Sequence, residues 1–244
     1  MNASLLNPVV CATTLDLLLP FTPTLGLQVA IVIVWLGLVG LLSIGLSLRK
    51  DAEPELIRKV VHIGTGNVIL FAWWLQIPGW VGMSASLLFG VITLLSYRFP
   101  ILPGINSIGR KSLGTFFYAV SIGVLTALFW QTHPYYAVMG ILVMTWGDGL
   151  AALVGQRFGR HPYKLWGMQK SWEGSITMVL VSFAVCSLIL FLVQGAIWQT
   201  WAIAFVVALV AASLEAFSRL GIDNLTVPLG SAGLAFLLNY LGNP

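Results

Sequence analysis

Blocks of apolar residues recur along the chain with short polar breaks between them, over 25–48, 61–76, 79–97, 115–131, 134–154, 172–194, 197–217 and 226–242. A bilayer crossing needs about 20 mostly apolar residues. A membrane barrel would alternate apolar with polar positions instead of forming solid blocks. The pattern therefore predicts an all-α, polytopic integral membrane protein with seven or eight transmembrane helices, seven if the short second or last block does not cross. Proline-containing turns join 61–76 to 79–97 (Ile77-Pro78-Gly79) and 115–131 to 134–154 (Thr132-His133-Pro134). With no internal repeat and no low-complexity linker, residues 25–244 read as one membrane-embedded domain without a soluble domain. Residues 1–24 read as an N-terminal tail, whose apolar part at 9–20 is short and broken by Asp16 and Pro20. The first twenty residues hold no Lys or Arg, so neither a signal-peptide n-region nor an Arg-rich transit peptide is expected.

Composition agrees. The 244 residues are 58% hydrophobic and 8% charged, with a mean hydropathy of +0.93, whereas a soluble domain carries about 25% charged residues. The formal net charge of +4 does not point to nucleic acid, because the basic residues are spread over separate loops beside apolar blocks. Cys11 and Cys186 lie in apolar surroundings with no CxxC or histidine spacing, so neither a disulfide framework nor a zinc site is expected.

The distribution of charge adds an orientation. Of the twelve Lys and Arg, four fall in 49–59, three in 98–114, four in 155–171 and one in 218–225. Every second connection is thus basic, which by the positive-inside rule predicts those four loops on the cytoplasmic (or stromal) side and both termini on the opposite side. Seven of the eight acids share that side: Asp51, Glu53, Glu55, Asp148, Glu173, Glu215 and Asp223. Topology anchoring accounts for bases but not for carboxylates at helix ends. Acids gathered with bases on one face suggest a site that holds a metal and phosphates.

Four stretches carry the candidate chemistry. In ELIRKVVHIGTG (55–66), Arg58, Lys59 and His62 fall within about one turn, with Arg58 and His62 on one face; they can meet phosphates, or serve as snorkelling anchors and a helix–helix hydrogen bond. Gly64-Thr65-Gly66 is not a dinucleotide fingerprint. In PGINSIGRKSLGT (103–115), Arg110 and Lys111 sit in a glycine-flanked loop with one residue too many for a P-loop and no strand before it. An anion site at a helix start is one reading, a lipid-headgroup anchor the other. In the central stretch Gly147 to Ser175, Asp148 lies about six residues from the end of its block, roughly 9 Å along a helix. A carboxylate there needs a partner: a metal or, structurally, an ion pair with Arg157 or Lys170. Asp148, Ala152 and Gly155 share a face small enough to admit a helix or a ligand. Ser171 is the expected N-cap of the next helix, with Glu173 in its first turn. In EAFSRLGIDNLTVPL (215–229), Glu215 and Arg219 are spaced to pair on a helix surface. Asp223 and Asn224 read either as an Asx turn or as hard oxygen ligands for Mg²⁺.

Taken together, RKVVHIGTG (58–66), GRKSLGTFFYA (109–119), GDGLAALVGQRFGRH (147–161), QKSWEGS (169–175) and DNLTVPL (223–229) resemble the polyprenol kinase family, which includes dolichol kinase and, more closely, phytol kinase. The central pieces also look like CDP-diacylglycerol synthase through Asp148, Ala151, Gly155, Phe158, Gly159, Lys170, Ser171, Glu173 and Gly174. That synthase's terminal signature is missing, and the N-terminal RKxxHIxxG favours the kinase over a cytidylyltransferase. The resemblance implies a shared CTP site, and transfer of the γ-phosphate of CTP to the hydroxyl of a long isoprenoid alcohol. Phytol comes first, with geranylgeraniol or farnesol as further acceptors, in salvage of chlorophyll phytol toward tocopherol. It implies Asp148, Glu173 and Lys170 as catalytic residues. Arg58, Lys59, His62, Arg110, Lys111, Arg157 and Ser171 would meet nucleotide and phosphate. Asp148, Glu173, Asp223 and Asn224 would hold Mg²⁺. Partners are then the alcohol, CTP and the lipid bilayer. A small transporter or assembly factor is the non-enzymatic rival, disfavoured because the carboxylates gather at one interface instead of mid-membrane.

Overall fold

A computed structural model of the chain describes residues 23–49, 53–99 and 113–242. The N-terminal tail and the loop with Arg110 and Lys111 therefore lie outside the described residues. The long helices are α1 (Leu25–Ser47), α4 (Gly79–Arg98), α6 (Pro134–Phe158), α7 (Trp172–Gln194), α8 (Trp198–Ala216) and α9 (Asp223–Gly242). Among the described residues these six are long and apolar enough to cross a membrane, and the apolar α5 (Gly114–Phe129) is shorter. The apolar blocks other than 61–76 thus end within a few residues of the helices they predict.

Helix α6 is the axis of the bundle. Its spanning window is 72% buried, against 6% for α1 at the periphery. Helices α5, α7 and α9 pack around it, and α8 closes the far side between α7 and α9. Glycine permits the closest crossing, where Gly140 of α6 faces the Pro228 carbonyl and Ala232 of α9. On the other flank α4 and α5 run antiparallel, with Gly79 against Trp130, Gly82 against Thr126 and Gly123 against Ser86. The buried core is built mainly from α6, α7, α8 and α9.

Two regions differ from the sequence reading. The block 61–76 is not one helix. It forms α2 (Pro54–Gly66) and α3 (Val68–Trp74), meeting at Asn67. Pro54 starts the helix early, as proline does at a first turn, and Gly64, Gly66 and Asn67 are poor helix formers that weaken its end. The basic loop after α6 is also not wholly irregular. It folds into an antiparallel hairpin of β1 (Pro162–Leu165) and β2 (Met168–Ser171), with Pro162 opposite Ser171. Its two-residue turn, Trp166-Gly167, has φ of +47° and +80°, the left-handed pair such a turn requires. Glycine meets that demand without strain and tryptophan does not.

The strands deliver Ser171 to the start of α7, where its hydroxyl accepts the Gly174 N–H at 3.2 Å. The expected N-cap is therefore present. Alternation of helix direction gathers the described charged residues at one end of the bundle. At the other end the ties are neutral: Gln28 to the Leu75 carbonyl (2.8 Å), Trp130 to the Ile77 carbonyl (2.8 Å) and Asn239 to the Tyr136 hydroxyl (2.9 Å).

Candidate active site

The site is assembled at the charged end by helix termini that are distant in sequence. Its centre is Asp148, at the last position of a π-helical segment, Val143–Asp148, within α6. Such segments occur often at functional sites. The partner of Asp148 is Lys59 on α2. Its Nζ donates to Asp148 Oδ2 at 2.5 Å and to the Asp148 carbonyl at 3.3 Å, and the lysine side chain is only 2% exposed. The ion pair expected with Arg157 or Lys170 is thus replaced by one spanning 89 residues of sequence. His62, one turn along α2, places Nε2 3.8 Å from the same carboxylate oxygen and 3.4 Å from the Met144 carbonyl. Its ring lies on Tyr118 (4.8 Å between centroids), and the Tyr118 hydroxyl bonds Thr145 Oγ1 at 2.7 Å.

Small residues allow this fit. Gly149 takes the Ile63 side chain, Gly64 takes Val39, and Gly66 lies directly against the Thr145 side chain and the Tyr118 hydroxyl. Gly66→Ala puts a methyl where those buried atoms already are, so it is expected to cost about 1–3 kcal/mol of overpacking. Thermal unfolding in detergent should register the loss, together with lower turnover, because Thr145 belongs to the segment that carries Asp148. An unchanged midpoint would show that α2 does not seat against α6 in this way.

Arg58 and Lys59 have opposite fates. Arg58 is 46% exposed and held by Glu55, with Nε 2.8 Å from Oε2; that hydrogen-bonded carboxylate keeps its guanidinium above the ordinary pKa. Arg58 and His62 share a helix flank, but Arg58 reaches outward to Glu55 while His62 is turned inward.

A second ion pair stands beside the first. Lys170 of β2 donates to Glu215 Oε1 at 2.5 Å and also to the Glu215 carbonyl, at the end of α8. The i,i+4 pair anticipated between Glu215 and Arg219 is therefore not the one Glu215 forms. At the hairpin tip Trp166 meets Phe217 edge-on at 5.5 Å, so the hairpin is docked on α8 at two points. Asp223 opens α9. Its N–H donates to Ser218 Oγ at 2.6 Å, and its Oδ1 accepts from the Asn224 N–H (3.0 Å) and side-chain amide (3.1 Å). Asp148, Glu215 and Asp223 are close enough to repel one another, and Asp223 also lies within range of Lys59 and Lys170.

Glu173 is placed differently. It accepts from the backbone N–H of Arg160 (3.1 Å) and His161 (3.2 Å), and lies 2.7 Å from His161 Nδ1. The carboxylate thereby ties the exit of α6 to the start of α7. Among the described residues no three His, Cys, Asp or Glu side chains form a group able to hold a metal ion, so Asp148, Glu173 and Asp223 do not close into one. Arg157, in the last turn of α6, stands over the Phe158 ring at 5.8 Å. The small face at Gly155 receives a helix, since Ser171 and Gly174 press on it. Glu215, which the sequence reading left as a surface partner of Arg219, joins the cluster. Its position at the apolar-to-polar boundary of α8 was the available signal.

No protein-family model and no solved structure matches the chain. Among curated proteins, the chain is 51% identical to "Phytol kinase" of Synechocystis sp., over 91% of its own length and 96% of the relative's. It is 34% identical to "Probable phytol kinase 2, chloroplastic" of Oryza sativa, over 76% and 67% of the two chains. It is 31% identical to "Farnesol kinase, chloroplastic" of Arabidopsis thaliana, over 78% and 67%. Identity of this extent over most of both chains makes the chain a member of the phytol kinase branch of the polyprenol kinase family.

Proposed function

We propose that the protein transfers the γ-phosphate of CTP to the hydroxyl of a long isoprenoid alcohol, phytol by preference, giving the phosphate monoester and CDP. The observation that carries this reading is the 51% identity to a phytol kinase along nearly the whole chain. The geometry supports it. Phosphoryl transfer needs positioning and charge neutralisation more than covalent chemistry, and the charged end offers carboxylates and cations side by side. A chain built of apolar helices keeps the alcohol's hydrocarbon tail in lipid while its hydroxyl reaches this end.

Mg²⁺ fits the donor set. It is bound through one or two carboxylates together with substrate phosphates, so a three-carboxylate cage is not required. Asp148 and Asp223 would hold it, with Asn224 assisting. When bound it would neutralise charge on the phosphates. Asp148 accepts the hydroxyl proton or orients the hydroxyl for attack. Arg157 and Lys170 neutralise the nucleotide phosphates, with Lys111, outside the described residues, as a further candidate, and Glu173 keeps the hairpin that carries Lys170 in place. The charged end faces the cytoplasm or stroma, in keeping with its basic loops.

The test is an assay of purified protein in lipid with Mg²⁺, phytol and CTP labelled at the γ-phosphate. Label is expected in an organic-extractable monophosphate, matched by CDP. Release of labelled pyrophosphate when phytyl phosphate or phosphatidic acid is the acceptor would make the protein a cytidylyltransferase. Absence of transfer to any prenol or lipid would remove the enzymatic reading.

A further inference from the structure

We infer that Lys59 is a positioning residue for Asp148 and not a ligand of nucleotide phosphates. The inference rests on the reading of Asp148 as the group that meets the alcohol hydroxyl. A phosphate-binding lysine must have its ammonium free to reach the phosphate. The Lys59 side chain is 2% exposed, and its Nζ is spent on two acceptors that both belong to Asp148, the carboxylate Oδ2 and the backbone carbonyl. Contacts with both the main chain and the side chain of one residue fix how that side chain leaves its helix.

The grip is one-sided. Among the described residues, the polar contacts of the Asp148 carboxylate, from Lys59 and from His62, converge on Oδ2. The other oxygen takes part in neither contact. The neighbouring Arg58, 46% exposed and paired with Glu55, is the cation of this motif that solvent reaches. Packing fixes the lysine in turn. Residues 59, 63 and 66 fall on one face of α2, and Ile63 and Gly66 of that face press on Gly149 and Thr145 of α6. Helix α2 thus serves as a splint against the π segment, with Lys59 as its point of attachment to the carboxylate.

The experiment measures kcat and nucleotide KM separately for Lys59→Met, Lys59→Arg, Asp148→Asn and the double variant Lys59→Met/Asp148→Asn. Loss of a residue that orients a reacting group costs roughly 10- to 100-fold, so Lys59→Met is expected to lose that much kcat with the nucleotide KM near wild type. Lys59→Arg keeps the charge but not the shape of the contact and should fall between, again in kcat. The double variant should be no slower than Asp148→Asn alone, because the lysine acts only through the carboxylate. A raised nucleotide KM with kcat retained would make Lys59 a phosphate ligand and overturn the inference, as would wild-type values for both constants. If Lys59→Met does not fold, Lys59→Arg decides: a lower kcat at constant KM supports the positioning role, and an unchanged kcat overturns it. Turnover retained in Asp148→Asn sinks the catalytic reading itself. An inactive Asp148→Asn beside a fully active Lys59→Met sinks only the role of Lys59.

Discussion

Asp148→Asn is expected to lower turnover by about 10²- to 10⁴-fold, the range contributed by a positioned acid or base. Asparagine matches aspartate in size and keeps an oxygen for Lys59, but it accepts no proton from an alcohol and binds a cation poorly. The substitution also leaves Lys59 buried with no anion, and breaking a buried pair from one side costs about 3–5 kcal/mol. Lost activity must therefore be separated from lost fold. The pair Lys59→Met/Asp148→Asn removes both charges at nearly constant volume and is expected to unfold in detergent near the wild-type temperature while remaining inactive. Turnover of this folded, charge-free variant well below that of Lys59→Met alone assigns the chemistry to the carboxylate. Near-normal turnover in Asp148→Asn would contradict it.

Lys170→Met is expected to lower stability as strongly. It strands Glu215, only 13% exposed, among carboxylates that already repel it, again at about 3–5 kcal/mol. The hairpin loses one of its two attachments to α8 and should become sensitive to proteolysis between residues 160 and 171. Glu215→Gln in the same protein removes the stranded charge and should restore the thermal midpoint. What the double variant does to the nucleotide separates two roles. A latch alone predicts recovery of nucleotide KM along with stability, whereas a phosphate contact by Lys170 predicts restored stability with KM still raised.

The long helices were legible because lipid demands uninterrupted apolar runs, and such runs are read directly from the chain. Trp172–Gln194 matches its block at both ends. The break at Asn67 was hidden inside an apolar block, since hydropathy does not register the weak helix propensity of Gly64, Gly66 and Asn67. The hairpin was obscured because each strand has four residues and its turn opens on tryptophan, a residue that does not signal left-handed backbone. Lys59, Asp148 and Lys170 could be singled out in the sequence, but the pairs they form could not. The partners of Asp148 and Glu215 lie 89 and 45 residues away, so tertiary packing alone decides them. One clue was present: Lys59 shares a helical face with Ile63 and Gly66, the face a packing helix turns inward.

The π segment gives the central helix two phases. In an α-helix each residue turns the chain by about 100°, and a π turn accommodates one residue more than an α turn. Upstream of Val143, Gly140 is set against α9; downstream of Asp148, Gly155 is set against α7. The wide turn lets one rod satisfy both neighbours and still aim a carboxylate at α2. The residue count between Gly140 and Gly155 is therefore a fixed dimension of the molecule, one that no change of side chain can reset. A single deletion there would tighten the turn and rotate one half of the helix by about 100° against the other, so that Asp148 could no longer meet Lys59 while Gly140 stayed against α9.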